Sequence, residues 1–372
     1  MRVLIATGVF PPEGGGPATY SKTLLDELPK RGIAISVLPY REVRKYPKVV
    51  RHVAYFFMLL ARTFREKPDI IYAQDPLSVG LPAALVSFVT RKKFLLKVVG
   101  DYAWEQASAR FAYTDTLESF QTAELSFIPA LMRGIERWVA MRAERIVVPS
   151  KYLGRIVSMW GIPKKKIVIV YNGIEAETVG LKQVIRGLLK FRGKLVISTG
   201  RLVPWKGFEG LIRVHAKLVQ KFEDLRLLII GTGPDANRLE ALVRNLGVEE
   251  SVIFTGNVER AAALRYMRAA DVFALNTRYE GFSHVLLEAS TIGVPIVTTR
   301  IGGNPELIED NMNGFLVKPD DTSALEHRIE KLLVSSETRL RLAGNAKKRV
   351  EKFSIATMVD ETVKVFESIY GA

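Results

Sequence analysis

Short β-rich runs alternate with longer segments of helical period along the chain, and this alternation limits the possible folds more than any single motif does. In the first half the runs are Arg2–Thr7, Ile33–Leu38, Ile70–Ala73, Phe94–Val99, Arg145–Val148 and Ile167–Val170. Helical segments, among them Thr19–Arg31, Val49–Arg65 and Ser150–Trp160, separate them. Strands that follow one another through helices pair in parallel with right-handed crossovers, so the pattern is that of a doubly wound α/β sheet. Asn172-Gly173 marks a turn, and a mixed stretch runs on to Arg192. A second series opens with Lys194–Gly200 and continues through Leu227–Ile230, Val252–Thr255, Val272–Leu275, Pro295–Thr299 and Gly314–Val317. The expectation is two parallel-sheet α/β domains facing each other across a cleft, alike in architecture and not in sequence.

Length agrees, because 372 residues exceed what one hydrophobic core usually serves. The expected divisions are residues 1–172, 173–352 and a terminal helix at 353–372, with Thr338–Ile369 read as two helical stretches split near Phe353-Ser354. The absence of cysteine excludes disulfides and thiolate metal sites and suits a reducing compartment. The N-terminus runs straight into a strand-like segment, and the apolar run Val53–Ala61 is far short of the roughly 20 residues of a spanning helix. A cytoplasmic protein is expected. Residues 1–172 hold 26 basic against 14 acidic side chains and residues 173–372 hold 28 against 25, so most of the net charge of +15 lies in the first half. Such asymmetry points to an acidic partner, with a plain solvated basic surface as the competing reading. Nucleic acid is the weakest of the acidic partners, since no recognised binding module accompanies the charge.

The second half carries the densest chemistry. Glu280-Gly-Phe-Ser-His-Val-Leu-Leu-Glu288 puts one carboxylate on a glycine-bearing loop and another inside a helical segment. The strand Pro295–Thr299 and the paired glycines Gly302-Gly303 follow. Carboxylates for hydroxyls and backbone amides for phosphates are what a sugar nucleotide requires. Gly200-Arg201-Leu-Val-Pro-Trp-Lys206-Gly207 places a guanidinium and an ammonium on one strand-to-helix loop, where both can reach a pyrophosphate. The chain contains no Asp-x-Asp to hold a metal, and no His/Asp/Glu spacing indicates one. Arg201 and Lys206 would then stabilise the charge of a diphosphate leaving group in its place. Gly231-Thr-Gly233-Pro-Asp235 and Gly256-Asn257-Val258 are further turns at strand ends. In the first half, Gly15 and Gly16 precede Pro17 at the head of a helix and could admit an anion to its N-terminus. Their spacing is not Gly-x-Gly-x-x-Gly, which disfavours NAD, and no other cofactor is indicated.

This set of motifs resembles glycosyltransferase family 4, the glycosyl transferases group 1, whose members are retaining GT-B enzymes with two Rossmann-like domains. The Glu-x7-Glu motif and the Gly-Arg-x4-Lys-Gly pattern carry the resemblance most strongly. It implies that Glu288 holds the ribose and Glu280 the donor sugar, with backbone of Phe282 and Ser283 near sugar or phosphate and His284 flanking the phosphates. It implies that Gly231, Gly233, Asn257 and Val258 line the nucleotide pocket, and that Gly15 and Gly16 touch the donor diphosphate and the acceptor. It also implies that the terminal helix returns to the first domain. Many members have His-Asp where this chain has Gly100-Asp101. Asp101 is the polar group left for that role, and a helix N-cap is the competing reading.

The expected function is metal-independent, retaining transfer of a hexose from a UDP- or GDP-sugar to a saccharide or lipid-linked acceptor, in cell-envelope or exopolysaccharide synthesis. A nucleotide-sugar 2-epimerase and a non-catalytic nucleotide-sugar or polyanion-binding protein are the alternatives. The basic aromatic segment Tyr46–Lys67, with Lys48, Arg51, Arg62 and Arg65, and the apolar stretch Phe120–Trp138 raise a peripheral attachment to an anionic membrane. An ordinary amphipathic helix facing a core is the other reading of Tyr46–Lys67.

Overall fold

In the computed structural model all residues are described except Lys48, Val49, Ala112, Ala176, Thr178, Lys190, Phe191 and Ala372. The chain forms two compact units. One is Met1–Gly173 together with Ile355–Ala372, and the other is Ile174–Ser354.

Among the described residues, six strands of the first unit form one parallel sheet: β1 (Arg2–Thr7), β2 (Ala34–Pro39), β3 (Ile70–Ala73), β4 (Lys93–Lys97), β5 (Arg145–Val148) and β6 (Ile167–Ile169). Their order is β2-β1-β3-β4-β5-β6. The second unit repeats the architecture with β7 (Leu195–Thr199), β8 (Arg226–Ile230), β9 (Val252–Gly256), β10 (Val272–Leu275), β11 (Ile296–Thr299) and β12 (Phe315–Val317). Their order is β12-β11-β10-β7-β8-β9. Every β-rich run of the sequence becomes a strand, with ends moved by at most two residues. The reason is burial on both faces, which parallel sheets wrapped in helices impose and which continuous Val/Ile/Leu runs satisfy. β7 and β10 are buried at every position.

The bounds of the first helix moved further. The first helix spans Gly16–Glu27 and so starts three residues ahead of the expected Thr19, with Gly15 at its N-cap and Pro17 in its first turn. The helix expected over Val49–Arg65 spans Arg51–Glu66; Lys48 and Val49 lie outside the described residues. It buries Tyr55, Leu59 and Thr63, and the Tyr55 hydroxyl donates to the Leu38 carbonyl at 2.6 Å. No helix of the described residues is long and apolar enough to cross a membrane.

The helix Ile355–Tyr370 completes the core of the first unit. Met358, Val359, Val365, Phe366 and Ile369 pack with Val3, Ile5, Tyr20, Leu24 and Tyr72. Phe366 is fully buried and meets the Tyr72 ring edge-on at 5.6 Å. The Tyr20 hydroxyl is 3.0 Å from that of Tyr72 and 3.4 Å from Thr362 Oγ1, so strand and helix also share a buried polar link. Phe366→Ala should lower stability by about 3–5 kcal/mol. Urea unfolding measures the loss, and hydrogen exchange at the β1 amides would accelerate with it. Exchange there unchanged from wild type would show that the helix is dispensable to this core.

Candidate active site

In doubly wound sheets ligands gather outside the carboxyl ends of the strands, where the strand order reverses. The second sheet reverses between β7 and β10. The loops leaving those two strands carry Arg201, Lys206 and Glu280.

After β7 the chain turns through a 3-10 segment, Pro204–Lys206, closed by Gly207 in the left-handed region at φ 68°. This loop is tied to the one after β10. The Trp205 carbonyl accepts from Arg278 N–H at 2.7 Å and from Thr277 Oγ1 at 3.0 Å, and Asn276 Nδ2 donates to the Gly207 carbonyl at 3.1 Å. A Cβ on Gly207 would lie 1.7 Å from the Asn276 carbonyl oxygen, so no other residue permits the approach. The tie brings Lys206 Nζ to 2.6 Å from Glu280 Oε2, both side chains being largely buried. Arg201 is exposed on the same loop and holds no ion pair among the described residues.

The paired glycines shape the other side of Glu280. Gly303 N–H donates to the Glu280 carbonyl at 2.9 Å, and a Cβ on Gly302 would sit 1.9 Å from that oxygen. The Gly303 amide is thus spent on holding the Glu280 loop. Gly231 and Gly233 act similarly. Added Cβ atoms there would lie 2.0 Å from the Gly200 carbonyl oxygen and 2.2 Å from that of Leu202. Their small size lets the loops after β7 and β8 touch, and Leu202 N–H donates to the Thr232 carbonyl at 2.9 Å. Asn257 is exposed and Val258 half-buried just beyond the carboxyl end of β9.

Ser283 caps the helix His284–Ile292, its buried hydroxyl accepting from Leu286 N–H at 3.4 Å. Phe282 is buried against Phe353 at 5.6 Å, and His284 is half-buried. Glu288, one turn further along, accepts from Arg260 Nε at 2.8 Å, and Arg260 also pairs with Glu177. Burial raises the Glu288 carboxyl above its ordinary range, and Arg260 opposes that rise. Sequence reasoning missed Arg260 and Glu177, because a salt bridge between positions 28 and 83 apart leaves no local pattern. His215 is buried with Nε2 2.8 Å from Ser251 Oγ, and burial lowers its pKa to about 4.

In the first unit the order reverses between β1 and β3. Gly15 is exposed at the end of the loop after β1, and Gly16 is half-buried at the start of the helix that follows. Asp75, unremarked in the sequence, caps the turn after β3, its Oδ1 accepting from Leu77 N–H at 2.9 Å and from Ser78 N–H at 2.5 Å. Asp101 stands differently from the other candidates. It is fully buried; Oδ1 accepts from Trp104 N–H at 2.8 Å as an N-cap, and Oδ2 accepts from Gln121 Nε2 at 2.9 Å. The carboxyl of Glu136, also buried, bonds to it and accepts from Tyr102 N–H at 3.0 Å. Burial and the neighbouring Asp101 charge hold Glu136 well above the ordinary carboxylate range, so this acid keeps the proton of the pair. The catalytic expectation for Asp101 is therefore replaced by a capping role: both oxygens are committed, and the group has no face toward solvent.

Two family models match the chain. Residues 14–178 match Glycosyltransferase Family 4 and residues 182–349 match Glycosyl transferases group 1. The N-acetyl-alpha-D-glucosaminyl L-malate synthase of Bacillus anthracis is 26% identical over 96% of this chain and 94% of its own length. The GDP-mannose-dependent alpha-(1-6)-phosphatidylinositol monomannoside mannosyltransferase of Mycolicibacterium smegmatis is 27% identical over 89% of each. The crystal structure of Anabaena HepE in complex with UDP and glucose shares the fold, with a TM-score of 0.78 at 20% identity over 99% of this chain and 100% of that one.

The capping role of Asp101 has a direct test. Asp101→Ala should destabilise the protein by about 1–3 kcal/mol, since it leaves Trp104 N–H and Gln121 Nε2 buried without their acceptor. Asp101→Asn, which keeps one acceptor oxygen, should cost less. Chemical denaturation of the two variants decides; equal, wild-type stabilities would return Asp101 to the functional set.

Proposed function

The chain belongs to glycosyltransferase family 4, the glycosyl transferases group 1, and is a glycosyltransferase; from that premise we propose that it moves a hexose from a UDP- or GDP-linked donor to a saccharide or lipid-linked acceptor, with retention and without a metal, in the synthesis of a cell-envelope or exopolysaccharide glycan. The observation that carries this reading is the Lys206–Glu280 pair at the β7/β10 reversal, with exposed Arg201 beside it. Without a donor the two charges neutralise each other. A bound donor would divide them, its diphosphate taking Lys206 and Arg201 and its sugar hydroxyls taking Glu280.

Cleavage of the donor leaves a diphosphate whose charge grows in the transition state. A guanidinium and an ammonium carried on one loop beside it stabilise that charge, which is the role a metal plays elsewhere. The acceptor hydroxyl attacks the anomeric carbon on the face the diphosphate is leaving, and a phosphate oxygen takes its proton. Positioning and electrostatics then supply the acceleration. Glu288 would exchange Arg260 for the two ribose hydroxyls, accepting them as a bidentate carboxylate. A UDP-bound structural neighbour and a relative named for GDP-mannose support a nucleoside-diphosphate donor and leave both bases in play. The same relative is named for a phosphatidylinositol acceptor, which supports a lipid-linked substrate at an anionic membrane.

Transfer should persist in EDTA and gain nothing from Mg²⁺ or Mn²⁺, measured as nucleoside diphosphate released over a panel of UDP- and GDP-sugars. Loss in EDTA restored by either ion would overturn the metal-free reading. Lys206→Ala and Glu280→Ala should lower turnover by about 10- to 150-fold, the equivalent of one charged hydrogen bond of roughly 1.5–3 kcal/mol. Glu288→Ala should weaken donor binding by a similar factor, read by calorimetry with the nucleoside diphosphate. Wild-type kinetics in all three would remove the assignment.

A further inference from the structure

Three helices of the first unit, Arg51–Glu66, Gly80–Thr90 and Phe127–Arg142, pack side by side, the middle one touching both others. Each carries an apolar stripe on the side away from the sheet. On the first it is Val53, Phe57, Leu60 and Phe64, at helical spacing. Phe57 is 60% exposed and Phe64 64%. On the second, Leu85, Phe88 and Val89 face outward, Phe88 being 71% exposed. On the third, Phe127, Ile128, Leu131 and Trp138 do so, with Phe127 at 80%. The Arg142 guanidinium joins the last two, lying 4.6 Å from the Trp138 ring centroid and 5.4 Å from that of Phe88. Exposed aromatics at this density need an explanation, because an isolated soluble unit gains nothing from them.

Charge identifies what covers them. The three helices contain two acids: Glu66 is paired with Arg62, and Glu136 is buried. The helices run opposite to the strands, so their carboxyl ends meet at the amino edge of the sheet, just ahead of β3, β4 and β5. Arg65, Lys67, Arg91 and Arg142 are exposed there, beside the exposed acid Glu144. Aromatic side chains bordered by an excess of cations match the boundary between lipid headgroups and acyl chains. A bilayer of mixed neutral and anionic lipid offers both a phosphate layer and hydrocarbon beneath it.

We propose that this three-helix face seats the first unit on an anionic bilayer, its phenylalanines and Trp138 entering the headgroup boundary and its arginines and lysines meeting lipid phosphate. The inference rests on the lipid-side reading of the function and goes further in assigning the surface. It adds the helix Gly80–Thr90, which carries no basic residue of its own and no sequence signal for membranes. It also replaces part of the expected stretch, since Phe120 is fully buried and the exposed segment begins at Phe127. The face runs the length of the helix layer, from Val53 and Phe127 near the amino ends of their helices to Arg65 and Arg142 near the carboxyl ends.

The test uses the full chain with vesicles of phosphatidylcholine alone and of phosphatidylcholine with phosphatidylglycerol, at low and high salt. Wild type should pellet with the anionic vesicles, weakly with the neutral ones, and less at high salt as screening shortens the attraction. The double variant Phe57→Ser, Phe88→Ser should lose binding by about tenfold or more for each phenylalanine withdrawn from the boundary. The charge variant Arg65→Glu, Arg142→Glu should lose it at low salt. Leu188→Ser, an exposed apolar position of the second unit, should bind like wild type. Vesicle binding that the four substitutions leave untouched, or no binding by wild type, overturns the assignment. So does a concentration-dependent dimer that the phenylalanine variant dissolves, which would make the face an interface between copies. Binding of nucleoside diphosphate is measured on each variant separately: if it persists while vesicle binding fails, only the docking inference falls, and if it is absent from wild type, the donor reading falls by itself.

Discussion

Backbone-to-backbone contact between the loops leaving β7, β8, β10 and β11 is the constraint on which the candidate site depends. Side chains of any size at Gly207 or Gly302 would collide with the carbonyls of Asn276 and Glu280 at under 2 Å. Because they are absent, the loops interlock through Trp205, Thr277, Arg278 and Gly303. The charged side chains then project from a platform with few ways to move. A 2.6 Å ion pair between residues 74 positions apart follows from that platform, since neither long side chain has the conformational economy to find the other unaided.

Both carboxylates of the candidate site are paired before it meets a ligand. Lys206 neutralises Glu280, and Arg260 neutralises Glu288 against a burial that would otherwise favour its protonated form. Breaking a partly buried pair without replacement leaves an uncompensated charge and is costly. A ligand offering both anionic and hydroxyl groups replaces each partner in kind, whereas a simple anion satisfies the cations and strands the carboxylates. Such exchange gives discrimination without demanding great affinity.

Much of this was legible in the amino-acid order, and what was not has identifiable physical causes. Strands could be placed because burial on both faces demands unbroken Val/Ile/Leu runs such as Leu227–Ile230. The first helix began early because Gly15 and Pro17 outweigh periodicity at an N-terminus. The charged loop residues could be named, but their pairing could not, since Glu280 meets Lys206 only through the Asn276–Gly207 tie. Asp101 illustrates the opposite difficulty. Its position at a strand end is equally that of a ligand-binding acid and a cap, and the deciding partners, Gln121 and Glu136, come from 20 and 35 residues further on. Glycines are ambiguous in the same way: Gly231 and Gly233 signal close approach without saying whether a ligand or another loop approaches.

The return of Ile355–Tyr370 to the first unit has a consequence for how the protein is made. The strands β1 to β6 emerge from the ribosome early, yet part of their core is encoded after the whole of Ile174–Ser354. At about 5–20 residues per second, the intervening segment delays that helix by roughly 10 to 40 s. Throughout that interval the groove lined by Tyr20, Leu24 and Tyr72 stays open, and it is an apolar surface of the kind chaperones hold. The second unit, whose core is contiguous in sequence, can close in the meantime. The half synthesised first is thus the half finished last, and a nascent chain stalled anywhere before Ile355 presents an open first unit.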